Sequence, residues 1–158
     1  MKAKPFIIIV LMIVLIDQVS KYIISSKMVL GSNIEVIPNF FSLYYTHNNG
    51  AAFSILQGHI FLFYIVSVIG LGILLYIYKQ ATGNVTRIAV AFVIGGLIGN
   101  LIDRIIYQKV IDFLSFTFAS YDFAIFNLAD TFITVGVIIL LVDVLFLERR
   151  RAKRRGIK

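Results

Sequence analysis

The residues best suited to chemistry in this sequence are carboxylates in an otherwise apolar chain. Asp112 follows the hydrophobic pair Val110–Ile111, and Asp130 lies near the start of the apolar stretch 126–145. Two carboxylates held close together cannot both ionise easily, so they share a proton. The ionised member can take a proton from water while the protonated member polarises a carbonyl. The pair therefore indicates an aspartic hydrolytic dyad; the alternative is a helix N-cap and a loop hydrogen bond.

The position of each carboxylate predicts which one holds the proton. Asp130 falls in the first turn of a predicted helix, where the positive end of the helix dipole favours its charged form. We therefore expect Asp112 to carry the shared proton more of the time. Such chemistry needs no cofactor, and the chain has no Cys and only two His without metal-ligand spacing.

The composition places this chemistry in a membrane. Of the 158 residues, 59% are hydrophobic, and the mean hydropathy is +0.93. Ordinary soluble domains are roughly 45–50% apolar. We predict an all-α membrane protein with a single domain over residues 1–158.

Four segments are long and apolar enough to cross a bilayer, which takes roughly 20 residues. They are about 6–24, 60–78, 88–106 and 128–147, and they leave two longer connections at about 25–59 and 107–127. The first connection mixes β-branched and aromatic residues with an Asn-Asn-Gly turn signal, which predicts a small β-sheet, or cradle, on the membrane surface. A cleavable signal peptide over 1–26 is the alternative for the first segment, but Asp17 and Lys21 interrupt its apolar run, so we expect a retained helix.

The basic residues orient the four helices. Lys2 and Lys4, the loop 79–87 and the C-terminal tail 149–158 all carry positive charge, and an even number of spans puts them on one side, the cytoplasm. Seven of the 15 Lys and Arg residues lie in that tail. The net charge of +7 is therefore interpreted as membrane anchoring through anionic lipid rather than nucleic-acid binding.

The remaining polar residues of the helices collect near one level, the predicted outer boundary of the membrane. Ionisable residues within spans are functional candidates. Asp17 and Lys21 share a face of the first helix, where an ion pair and a substrate role are both open. The others lie at the end of the third helix or the start of the fourth: Asn100, Asp103, Arg104 and Asn127. Of these, Asn100 and Asp103 are three residues apart and share a face of the third helix.

Asp143 is the exception to this single level. It lies near the predicted cytoplasmic end of the fourth helix, and we expect it to be interfacial, with basic residues of the tail nearby.

Five short motifs resemble those of one known family. They are "DQVSK" at 17–21, "NNGAAF" at 48–53, "GNLIDR" at 99–104, "VIDF" at 110–113 and "FNLAD" at 126–130. Their residues and order resemble lipoprotein signal peptidase, signal peptidase II. Each motif alone is weak, but five in order over nearly the whole chain are specific.

The resemblance implies an aspartic endopeptidase of the bacterial cytoplasmic membrane that cuts prolipoproteins before a diacylglyceryl-modified Cys. It places the catalytic pair on Asp112 and Asp130. It assigns substrate binding to Asp17, Lys21, Asn48, Gly50, Asn100, Asp103, Arg104, Asn127 and Ala129. It requires no metal, and we expect a monomer that contacts membrane lipids.

Two other classes of protein remain open from the residues alone. An ion-coupled transporter or channel could use the same Asp and Arg side chains, although no internal repeat is visible. A non-enzymatic membrane subunit could use them for packing. Loss of peptide cleavage in the two Asp→Asn variants would separate a protease from both.

Overall fold

The computed structural model describes residues 1–50, 59–118, 121–143 and 145. Within these residues there are four helices and a four-stranded sheet. In chain order these are α1 (Ala3–Lys27), β1 (Asn33–Ile37), β2 (Phe41–Asn48), α2 (Ile60–Gln80), α3 (Asn84–Tyr107), β3 (Val110–Phe118), β4 (Tyr121–Asp122) and α4 (Leu128–Val142).

Each helix overlaps one of the four predicted spans. By length and composition, α1, α2 and α3 can each cross a membrane. Helix α1 begins earlier than predicted because Pro5, which has no backbone N–H to lose, suits a first helical turn. Helix α4 has 15 described residues, and part of its predicted remainder lies outside the described residues.

Helix α3 lies at the centre of the bundle and packs against the other three helices. Its small residues allow close approach, as the four-residue spacing of Ala91, Gly95 and Gly99 predicts. A Cβ atom on Gly95 would lie 2.7 Å from Ile13 of α1. Gly96 faces α4 instead, where a Cβ atom would meet the carbonyl oxygen of Ala129. Both neighbouring helices are therefore fixed tightly to α3 near the polar residues.

A small antiparallel sheet is present at one end of the bundle, called here the sheet end. The first connection supplies β1 and β2, as predicted, whereas β3 and β4 come from the second connection, where the sequence predicted no strand. Its strands are antiparallel in the order β1-β2-β3-β4. Strands β2 and β3 pair so that Thr46 lies opposite Asp112. A hydrophobic cluster of Ile24, Tyr45, Ile111 and Phe113 joins the sheet to α1. The cluster holds β3 against the bundle and thereby fixes the height of Asp112.

The opposite end of the bundle brings together the chain's N-terminus, the α2–α3 connection and the end of α4. The Met1 ammonium donates to Asn84, and Thr86 donates to Asp143. This grouping agrees with an even number of spans, while its assignment to the cytoplasm stays a prediction. The expected position of Asp143 was wrong. We expected an interfacial residue near the basic tail, but its side chain is fully buried because α3 supplies a hydroxyl partner there.

Candidate active site

Asp112 and Asp130 line the same cavity at the sheet end of the bundle. The cavity has a volume of about 520 Å³. Asp112 reaches it from β3 and Asp130 from the first turn of α4. The fold therefore unites the two carboxylates that the sequence singled out.

Asp130 has a structural role in its own helix. It forms a capping box with Asn127, whose side chain accepts a hydrogen bond from the Asp130 backbone N–H at 2.9 Å. In return, Asp130 Oδ2 accepts from the Asn127 backbone N–H at 3.3 Å. Its other oxygen, Oδ1, accepts from Asn100 Nδ2 at 2.7 Å. The helix cap that we held as the alternative is thus present, and it leaves Asp130 facing the cavity.

Asp112 is held by two amides and is almost fully buried, with 2% of its side chain exposed. Its Oδ1 accepts from Asn127 Nδ2 at 2.7 Å, and its Oδ2 accepts from Asn48 Nδ2 at 3.0 Å. Burial, together with the nearby charge of Asp130, raises the pKa of Asp112 to about 7. The two amide hydrogen bonds act in the opposite direction. Asp112 is therefore able to hold a proton near neutral pH.

Three asparagine side chains share one arrangement, which fixes the direction of each amide. The oxygen accepts from a fixed donor, and the NH2 group is left to donate to a carboxylate. The fixed donors are Gly50 N for Asn48 at 2.8 Å, Asp130 N for Asn127 at 2.9 Å, and Lys21 Nζ for Asn100 at 3.0 Å. Turn, helix-cap and ion-pair chemistry thus all serve to aim donors at the two carboxylates.

Arg104 supplies a positive charge to the cavity lining. Its guanidinium donates to the carbonyl oxygen of Gly50 at 3.3 Å and lies 4.8 Å from the ring centre of Phe63. The hydroxyl of Tyr64 donates to the Arg104 carbonyl at 2.8 Å. Sequence reasoning missed both α2 residues, although a tyrosine hydroxyl inside a charge-free span was an available signal.

The other predicted site residues lie behind the cavity lining, not in it. Lys21 pairs with Asp17 at 2.8 Å and with Asp103 at 2.9 Å, and all three are almost fully buried. The ion pair expected within α1 is therefore present and is joined by a residue of α3. Asn127 and Ala129 are likewise fully buried.

The rest of the lining is mostly apolar and was not singled out from the sequence. It comes from the first residue of β3, from the segment before α4 and from one side of α4: Val110, Phe123, Ala124, Ile125, Phe126, Thr131, Ile133, Thr134 and Val135. The aromatic residues just before "FNLAD" were the available signal. The cavity thus combines a polar end with an apolar wall along a helix.

The chain is similar to known proteins over most of its length. The family model for signal peptidase (SPase) II matches residues 9–146. The lipoprotein signal peptidase of Listeria monocytogenes serotype 4a (strain HCC23) is 46% identical over 157 residues, which is 97% of this chain and 99% of that protein. That of Staphylococcus carnosus (strain TM300) is 39% identical over 154 residues, covering 93% of this chain and 97% of the relative.

A solved structure shares the fold. It is described as a bacterial membrane enzyme and superposes with a TM-score of 0.85 at 37% identity, covering 90% of this chain and 88% of that one. The family resemblance seen in the five motifs is thereby confirmed. This chain belongs to the signal peptidase II family, the lipoprotein signal peptidases.

Proposed function

We propose that this protein is an aspartic endopeptidase of the bacterial cytoplasmic membrane that removes signal peptides from prolipoproteins, cutting before the diacylglyceryl-modified Cys. One observation carries the proposal: Asp112 and Asp130 face one cavity, and each is held by two hydrogen-bond donors. Family membership supports the substrate class, since the relatives are lipoprotein signal peptidases.

The two carboxylates divide the chemistry according to their surroundings. Asp112, with its pKa raised to about 7, holds the proton, and Asp130 is favoured as the anion by the helix N-terminus. Asp130 takes a proton from water while the water oxygen bonds to the scissile carbonyl carbon. Asp112 protonates the carbonyl oxygen, which gives a tetrahedral diol. The C–N bond then breaks as the leaving nitrogen accepts the proton from Asp130, and Asp112 recovers its own from the diol.

The cavity suits a substrate that is half peptide and half membrane segment. Its apolar wall along α4 fits the hydrophobic part of a signal peptide, while Arg104, Asn48 and Asn100 line the polar end that would meet the peptide backbone. The sheet end would face outward, where the lipid-modified Cys lies. We propose that the enzyme works as a monomer surrounded by membrane lipids.

The test is cleavage of a synthetic prolipoprotein peptide with a diacylglyceryl-modified Cys, followed by gel shift. Asp112→Asn and Asp130→Asn should each lower kcat by about 10³-fold, within the range for loss of general acid–base catalysis. Asp122→Asn is the matched control, because Asp122 is exposed on β4 and its side chain accepts a hydrogen bond from Thr117. Full activity in either dyad variant that is folded would contradict the proposal.

The alternative of an ion-coupled transporter makes a different prediction for the same variants. A transporter would carry ions into vesicles and would leave the peptide uncut. Ion flux that depends on Asp112 and Asp130, without cleavage by the unmodified protein, would replace the peptidase assignment.

A further inference from the structure

We propose that Asp17, Lys21 and Asp103, called here the ion triad, set the spacing between the two catalytic carboxylates without touching substrate. The inference rests on the proposed aspartic mechanism. It makes the three residues positioning residues instead of the substrate-binding residues that the family resemblance implied.

Lys21 is the centre of the ion triad and has no free donor. An ammonium group has three N–H donors. They are directed to Asp17 Oδ2 at 2.8 Å, Asp103 Oδ2 at 2.9 Å and Asn100 Oδ1 at 3.0 Å. The third bond orients the amide of Asn100, whose Nδ2 donates to Asp130 at 2.7 Å. A buried charge on α1 therefore acts on Asp130 through one amide.

The two acids of the triad each bind the backbone immediately before a catalytic residue. Asp17 Oδ1 accepts from the N–H of Ala129 at 2.9 Å, one residue before Asp130. Asp103 Oδ2 accepts from the N–H of Ile111 at 3.1 Å, one residue before Asp112. Because Lys21 joins the two acids, the start of α4 and the strand β3 are tied to the same ammonium.

Gln18 completes the network and makes it rigid. Its Nε2 lies 2.9 Å from Asp103 Oδ1 and 3.2 Å from both Asp17 Oδ2 and the carbonyl oxygen of Gly99. All four carboxylate oxygens of the triad therefore have a donor. Removing charges from water costs several kcal/mol per ion, which such a pair recovers only with good geometry. A satisfied buried network thus contributes more to a fixed geometry than to net stability.

Close packing at Gly99 lets this network form. A Cβ atom at that position would lie 2.5 Å from Asp17 Oδ2 and 3.4 Å from the Cβ of Ala129. Only glycine leaves room for the Asp17 carboxylate between α3 and the start of α4. The small residue of the "GNLIDR" motif is thus explained by the route from Asp17 to Ala129.

Lys21 also contributes its charge. It lowers the pKa of Asp112, opposing burial and the charge of Asp130. Among the described residues, two charged groups of α3 also lie close by: Arg104, which interacts with Asp112, and Asp103, which binds the N–H of the neighbouring Ile111. Loss of the ammonium should therefore shift the loss of the Asp112 proton to higher pH, which a change in folding alone would not do.

The experiment uses the full chain in phospholipid nanodiscs and the diacylglyceryl-modified peptide. Asp17→Asn and Asp103→Asn should lower kcat by about 10²-fold, the effect of misplacing reacting groups by about 1 Å, with KM changed by less than about 3-fold. Lys21→Met should also move the alkaline limb of the kcat profile to higher pH. Asp143→Asn is the matched control: it changes an equally buried carboxylate at the other end of the bundle and should leave kcat per folded molecule unchanged.

Three outcomes would overturn the inference while the dyad assignment stands. The first is unchanged kcat in folded Asp17→Asn and Asp103→Asn. The second is a raised KM at unchanged kcat, which would mean substrate contact. The third is activity that falls only with the folded fraction, with no shift of the alkaline limb in Lys21→Met. Activity retained in Asp112→Asn would instead defeat the proposed function itself.

A milder variant tests the inference if the variants that remove a charge from the ion triad do not fold. Gln18 is only half-buried, so Gln18→Met should be tolerated better. It removes the donor to Asp103 Oδ1 and should lower kcat by about 10-fold, equivalent to one hydrogen bond. An unchanged kcat in this variant would contradict the inference.

Discussion

Asn127 offers the sharpest test of the site, because its amide serves the helix with one atom and the dyad with the other. Its Oδ1 caps α4 by accepting from the Asp130 N–H at 2.9 Å, and its Nδ2 donates to Asp112 at 2.7 Å. Serine can replace the first function but cannot reproduce the second. The pair Asn127→Ser and Asn127→Ala therefore separates the cap from the carboxylate.

The expected magnitudes follow from those two bonds. Loss of an N-cap costs about 1 kcal/mol, so the Ala variant should be less stable than the Ser variant by about that amount. Both variants lose the hydrogen bond from the amide to the Asp112 carboxyl, worth about 0.5–1.5 kcal/mol while that carboxyl holds its proton and more once it is ionised. That bond lowers the pKa of Asp112, so its removal raises the pKa further above about 7. The alkaline limb of kcat should then move to higher pH, equally in both variants.

The assay combines the pH profile of peptide cleavage with thermal unfolding of the purified protein. We expect kcat at the optimum to fall by about 10²-fold in both variants, because the Asp112 carboxyl is no longer oriented. The reasoning would be refuted if Asn127→Ser recovered the unmodified kcat and pH limb. It would also be refuted if the limb moved to lower pH.

Two further predictions concern stability. Gly99→Ala should destabilise the protein by about 1–3 kcal/mol and lower kcat, because the added methyl group would overpack against Asp17. Gly72→Ala is the control and should change neither, because the space around its Cβ position is open. Thermal unfolding and peptide cleavage measure both variants. The pH dependence of unfolding should also report Asp112. Its pKa is raised from 3.8 to about 7 by folding, so between these values the native state holds a proton that the unfolded state has lost. Stability should therefore fall as pH rises through this window, by up to about 1.4 kcal/mol per pH unit, and remain level above it. Asp112→Asn should remove this component from the slope, and an identical slope in the variant would contradict the raised pKa.

Much of the fold could be predicted from the sequence because the bilayer imposes simple rules. Length and hydropathy predicted the helices α1 to α4, and turn and β-branched residues predicted the sheet of the first connection. The spacing of Asn100 and Asp103 placed both on one face of α3, and both indeed contact Lys21. Asp112 and Asp130 were singled out for a related reason: carboxylates in an apolar chain are costly and are therefore functional candidates, and both line one cavity.

The partners of the buried polar side chains could not be predicted from the sequence, because they depend on how each helix lies relative to its neighbours. Asp17 and Lys21 were predicted as an ion pair or a substrate contact, yet their hydrogen bonds reach Asp103 and the backbone of Ala129 on other helices. Asp143 was expected at an interface, and its partner Thr86 lies on α3, far along the chain.

The sequence by itself determined the position of each polar residue along its helix and the helix face on which it lies, because rise and period are fixed by backbone geometry. Only the tertiary structure decided the rotation and close approach of the helices, which depend on side chains distant in sequence. That approach, permitted at Gly99 and Gly96 and fixed by Lys21, brings a strand residue and a helix residue to one cavity.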